Sequence, residues 1–171
     1  MRKKKLLRIL KWALFALLTL FAWLTQTTLF GQRTFLGSHL SLFPVAAVSV
    51  AVMCGAEKGS LFCLIAGILY CFTGADMGPV TLVAITLVGA LAGGACQSFF
   101  RRHLAPCAIF AALVLLCSDG VILLLKLYFT DAHPAGVFSQ AFGGLFCSLL
   151  SVLVFFPLSY AISRIGGEQI G

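Results

Sequence analysis

Charge is what this chain lacks most. Only 10% of its 171 residues are charged, and five of those are acids. A soluble domain of this length carries about 25% charged residues, so a water-exposed surface is not available here. No stretch is polar enough to form a soluble domain on either side of the apolar blocks. The nucleophile elbow, the H-E-x-x-H pair, the phosphate loop and the dinucleotide fingerprint are all missing. No two of the seven cysteines stand as C-x-x-C, which removes the usual redox and zinc signatures. Alternation of polar and apolar residues over about ten positions, the mark of a membrane β-barrel strand, is also missing.

What is present is hydrocarbon. Hydrophobic residues make up 61% of the chain, and the mean hydropathy is +1.08. They come in blocks near the roughly 20 residues that a helix needs to cross a bilayer core. The expected fold is an all-α polytopic integral membrane protein with a single membrane domain over residues 1–171. Six spans are expected, at about 10–30, 40–56, 60–73, 79–99, 104–129 and 137–163. The third is short, because fourteen helical residues rise only about 21 Å, so five spans is the alternative. The expected connections are short and carry glycine or proline, including "EKG", "GADMG", "RRH" and "TDAHPAG".

The net charge of +7 comes largely from one end. Arg2, Lys3, Lys4, Lys5, Arg8 and Lys11 precede the first apolar run, and with Arg101 and Arg102 they form the expected cytoplasmic anchor. With both termini inside, those residues join Lys58 and Arg164 on the cytoplasmic face, against Arg33 and Lys126 toward the outer face. That distribution obeys the positive-inside rule. A basic cluster against an apolar segment attracts anionic lipid headgroups, and membrane lipids are the expected partners rather than nucleic acid. The run "TQTTLFGQ" offers no small-x-small cleavage site, so the first segment reads as an uncleaved span.

Cys54, Cys63, Cys71, Cys96, Cys107, Cys117 and Cys147 all lie in or beside apolar segments and read as small hydrophobes. Gly89 and Gly93 stand four apart in "GALAGG", a spacing that lets helix backbones approach closely. Pro44 near the head of the second segment is harmless, whereas Pro157 bends the last one. His39, Asp131 and His133 read as solvated loop residues.

One acid stands out. Asp119 lies within "LVLLCSDGVILLLKLYF", between Ser118 and Gly120. A carboxylate well inside a spanning helix costs roughly 2.5–3.5 kcal/mol on insertion scales, and such groups mark ion paths, relays or interhelical hydrogen bonds. Gln97, Gln140, Ser148 and Ser151 are the polar groups expected to reach it. Lys126 is too far along the same helix. A packing or partner-interface role is expected, with no catalytic residue, metal or cofactor.

The segment "FPVAAVSVAVMCGAEKGSLFCLIAGILYCFTGADMG" resembles the rod shape-determining protein MreD family. The family pattern has Pro at the head of the second helix, a charged turn with Gly, a Gly-Leu-Leu-like step and a Gly-bounded loop. Here these fall at Pro44, Glu57-Lys58-Gly59, Gly67-Ile68-Leu69 and Gly74 to Gly78, and Asp119 matches an acid in the fifth helix. The resemblance extends loosely from residue 40 to Arg164. Val45, Tyr70 and Cys71 stand where the family tends to carry further acids.

The resemblance implies a non-enzymatic scaffold of the cell-wall elongation machinery that maintains cell shape. Its implied partners are a bitopic MreC-like protein and the wall-synthesis complex. The alternative is a substrate-binding subunit of an energy-coupling factor vitamin transporter, also six helices long. Its docking pattern of alanines four apart in the first helix is not matched by Ala13, Ala16 and Ala22.

Overall fold

The computed structural model describes residues 2–28, 41–72, 78–98, 103–129 and 134–165. These form seven helices: α1 Arg2–Thr28, α2 Leu42–Cys54, α3 Ala56–Phe72, α4 Gly78–Ser98, α5 Leu104–Phe129, α6 Pro134–Leu150 and α7 Val152–Arg164. Four helical runs are long and apolar enough to cross a membrane: Lys5–Thr28, Pro79–Ser98, Leu104–Val121 and, taken across the α6–α7 junction, Phe142–Arg164. The chain is therefore a helical protein of membrane type.

The short α2 is the axis of the bundle. All 13 of its residues are buried, against α1, α3, α4, α5, α6 and α7. At 1.5 Å per residue it is about 20 Å long. Because lipid tails are as apolar as its side chains, α2 is held by close packing and hydrogen bonds rather than by exclusion from water. Pro44 is its third residue, where the missing N–H is one the helix could not have used.

The turn from α2 to α3 is one residue. Gly55 adopts φ +86° and ψ 176°, a backbone shape that side-chain-bearing residues avoid. Glu57, Lys58 and Gly59 were expected to form this turn. They instead lie in the first turn of α3, where Glu57 suits the positive helix end, and α3 lengthens to 17 residues. Gly59 brings α3 onto α2, since a Cβ there would lie 2.8 Å from the Ala51 carbonyl oxygen.

The expected last span, 137–163, is two helices. The Ser151 N–H bonds the Ser148 carbonyl at 3.1 Å, and its hydroxyl donates to the same oxygen. Such back-bonding tightens and bends a helix. The chain resumes as α7 and runs through Pro157. The helix assignment is thus interrupted at Ser151, six residues before Pro157. The helix α1 begins at Arg2, so the basic cluster is part of that helix rather than a tail before it.

Candidate functional site: a polar cluster at the head of the buried helix

Gly89, Gly93 and Gly67 are packing residues, and the structure names their partners. A Cβ on Gly93 would lie 2.7 Å from the Gly55 carbonyl, and one on Gly89 would lie 2.5 Å from Cys63 Sγ. One on Gly67 would meet Leu82 Cα at 3.2 Å. Together they let α4 lie directly on α3 and on the α2–α3 turn. Cys63 fills the remaining space, its thiol directed to the Ala47 carbonyl at 3.6 Å. All seven cysteines are free thiols.

The polar groups gather elsewhere, around the N-terminus of α2. A helix start leaves N–H groups without intrahelical acceptors, and Ser41, the residue before α2, makes no side-chain cap of its own. Two other helices supply the acceptors. Gln26 on α1 accepts from the Phe43 N–H at 2.9 Å, and Ser148 on α6 accepts from the Ser41 N–H at 3.0 Å. The same Gln26 donates through Nε2 to the Tyr70 hydroxyl on α3 at 3.1 Å. The rings of Phe43 and Tyr70 stack with centroids 4.9 Å apart and planes 13° from parallel. One turn before Gln26, the buried Trp23 indole N–H has no acceptor among the described residues.

Asp119 on α5 lies within electrostatic reach of Tyr70 in this cluster. The residue is half-buried. Its one described hydrogen bond comes from Ser118, at 3.5 Å. Ser118 is better engaged with its own helix, donating to the Val114 carbonyl at 2.9 Å. The adjacent Gly120 has nothing within 4 Å of where a Cβ would stand.

Several expected neighbours of Asp119 are elsewhere. Gln97 lies at the opposite end of the bundle, its Oε1 3.0 Å from where a Gly55 Cβ would stand. Ser148 and Ser151 are spent on the head of α2 and on the α6–α7 junction. The Gln140 and Lys126 side chains lie outside the described positions, as do Arg101, Arg102, Asp76, His39, Asp131 and His133. Asp119 is the sixteenth of the 26 residues of α5, well inside the helix.

Gln26 and Tyr70 were not singled out by the sequence. The available signal was that each is a large hydrogen-bonding side chain toward the end of an apolar run, at the same end of the bundle. Chemically the cluster offers a carboxylate, a phenol and a carboxamide around a buried helix head. The amide and phenol are committed to holding α1, α2 and α3 together, and the carboxylate is the group with coordination to spare. No family model, curated protein or solved structure matches this chain.

Proposed function

We propose that this chain is a non-enzymatic scaffold subunit of a bacterial inner-membrane complex. It crosses the bilayer six times with both termini in the cytoplasm, and binds a partner through its helix faces. The observation that carries this reading is Asp119. An intramembrane carboxylate is stable when several donors or a counter-charge meet it. Within the described residues this one receives a single long bond from its chain neighbour. A second chain's transmembrane helix bearing a hydrogen-bond donor would complete it. The resemblance to the MreD family gives that partner a form, a bitopic MreC-like protein associated with wall synthases.

The placement of Lys11 supports an even number of crossings. Its ammonium donates to the Ser163 carbonyl at 3.1 Å, so the start of α1 and the end of α7 share one end of the bundle.

The second reading, a solute-binding transporter subunit, is favoured by the polar cluster lying toward the opposite end. Gln26 is about 22 Å along α1 from Lys11, at a depth where a solute entering from outside would meet it.

Co-purification of the tagged chain in mild detergent separates the two readings. Recovery of a bitopic protein with wall synthases supports the scaffold. Recovery of paired ATPases with a coupling subunit replaces it with the transporter reading. In the first case Asp119→Leu is expected to insert normally yet lose most of the bound partner.

A further inference from the structure

The helix α1 carries one stripe of side chains through two environments. Inside the bundle, Phe15, Leu18, Thr19 and Ala22 are buried against other helices. Leu17, Leu20, Phe21 and Leu24 point outward, 64%, 52%, 62% and 41% exposed. A step of seven residues returns to nearly the same helix face, with a drift of about 20°. Lys5, Arg8 and Lys11 stand seven residues before Trp12, Phe15 and Leu18. The basic side chains therefore continue the bundle-facing stripe. Leu10 stands seven before Leu17, and Leu6 fourteen before Leu20, so the apolar side chains continue the outward stripe.

Residues 5–10 are all exposed. Lys11 is where α1 meets α7. This arrangement differs from a span whose lysines merely reach outward to water. The charges are turned inward, over the end of the neighbouring helices, while the leucines hold the outer side.

What they overhang is also basic. Arg164, the last residue of α7, stacks over the Tyr160 ring at 4.7 Å from its centroid and donates to the Tyr160 hydroxyl at 2.6 Å. Ser163 donates its hydroxyl to the Tyr160 carbonyl at 2.7 Å. The Lys11 ammonium spends one of its three donors on the Ser163 carbonyl. Glu57 is the only acid at this end among the described residues, and Lys58 follows it directly.

We propose that the seam between the start of α1 and the end of α7 binds an anionic phospholipid. Lys5, Lys11 and Arg164 hold the headgroup phosphate, and the acyl chains pass round to the outer side of α1 and run down it along Leu10 and Leu17. The pairing of a basic stripe with an apolar stripe on the same three turns selects this occupant. Inorganic phosphate uses only the basic half, whereas a lipid uses both. Clusters of basic residues beside a span bind anionic headgroups in this manner.

The test uses the full chain in mild detergent, titrated with phosphatidylglycerol or phosphatidylcholine of the same acyl composition and read by native mass spectrometry. Wild type is expected to bind phosphatidylglycerol at least about tenfold more tightly. Lys5→Gln with Lys11→Gln removes that preference. Lys5→Gln with Arg8→Gln leaves the Lys11–Ser163 bond in place and is expected to weaken binding at least about fivefold, and Lys58→Gln leaves it unchanged. Millimolar inorganic phosphate does not displace the lipid. Equal binding of the two lipids, an unchanged preference in the Lys5/Arg8 variant, or full displacement by phosphate would each overturn the proposal.

Discussion

The Gln26 carboxamide bridges two helices at once, donating to the Tyr70 hydroxyl on α3 and accepting from the Phe43 N–H that opens α2. Forty-four residues of chain separate Gln26 from Tyr70, and one side chain fixes the position of three helices. Gln26→Leu strips a donor from Tyr70 and an acceptor from α2 together. Interhelical hydrogen bonds within membranes average about 0.6 kcal/mol, and an unpaired buried group adds about 1–3 kcal/mol. The variant is expected to lose about 1–3 kcal/mol in reversible unfolding in detergent. Adding Tyr70→Phe to it should bring less further loss than Tyr70→Phe does alone.

Gly93 and Gly94 are neighbours with opposite tolerance. A Cβ on Gly93 would meet the Gly55 backbone at 2.7 Å, whereas on Gly94 the nearest atom is the Ala56 Cβ at 3.6 Å. Gly93→Ala is expected to destabilise by about 1–3 kcal/mol, the usual range for overpacking a tight contact. Gly94→Ala should leave the melting temperature within a degree or two of wild type, as measured by differential scanning fluorimetry.

A similar contrast separates Gly55 from Gly120. Alanine at Gly55 meets a positive φ with an extended ψ, a region adopted almost only by glycine, at a cost of roughly 1–3 kcal/mol. Alanine at Gly120 enters open space within a helix and is expected to gain up to about 1 kcal/mol. Thermal unfolding of the two single variants should move in opposite directions.

Six crossings predict that reporters at either terminus give the same answer. Fusions of a periplasm-active phosphatase to the N- and C-termini are both expected to be inactive, and a fusion after Thr28 to be active. Activity at one terminus alone would require an odd number of crossings.

Much of the architecture was readable from composition, and α5 appears with the expected limits, Leu104–Phe129. Two features were hidden for physical reasons. The "EKG" triplet looks like a loop because it is polar, yet polar residues suit the first turn of a helix at a membrane surface. The true turn, Gly55, is one glycine among 17, and its role follows from φ alone. The break at Ser151 was hidden because Pro157 nearby is the stronger breaker by composition, while α7 runs through that proline. The polar cluster was the least legible part. Asp119 stands out by charge, but Gln26 and Tyr70 acquire meaning only when remote segments converge.

The burial of α2 on every side has a consequence for how the chain is made. A segment leaving the translocon normally settles by turning one side to the surrounding lipid. The helix α2 has no such side in the finished bundle, and at about 20 Å it is shorter than a hydrocarbon core of about 30 Å. Gly55 joins it to α3 with a single residue, so the pair is suited to enter as one hairpin, with α3 supplying the lipid-facing surface through Leu61, Ile65, Leu69 and Phe72. The arrival of α4 then covers α2 on one flank, and α5 and α7 close the other.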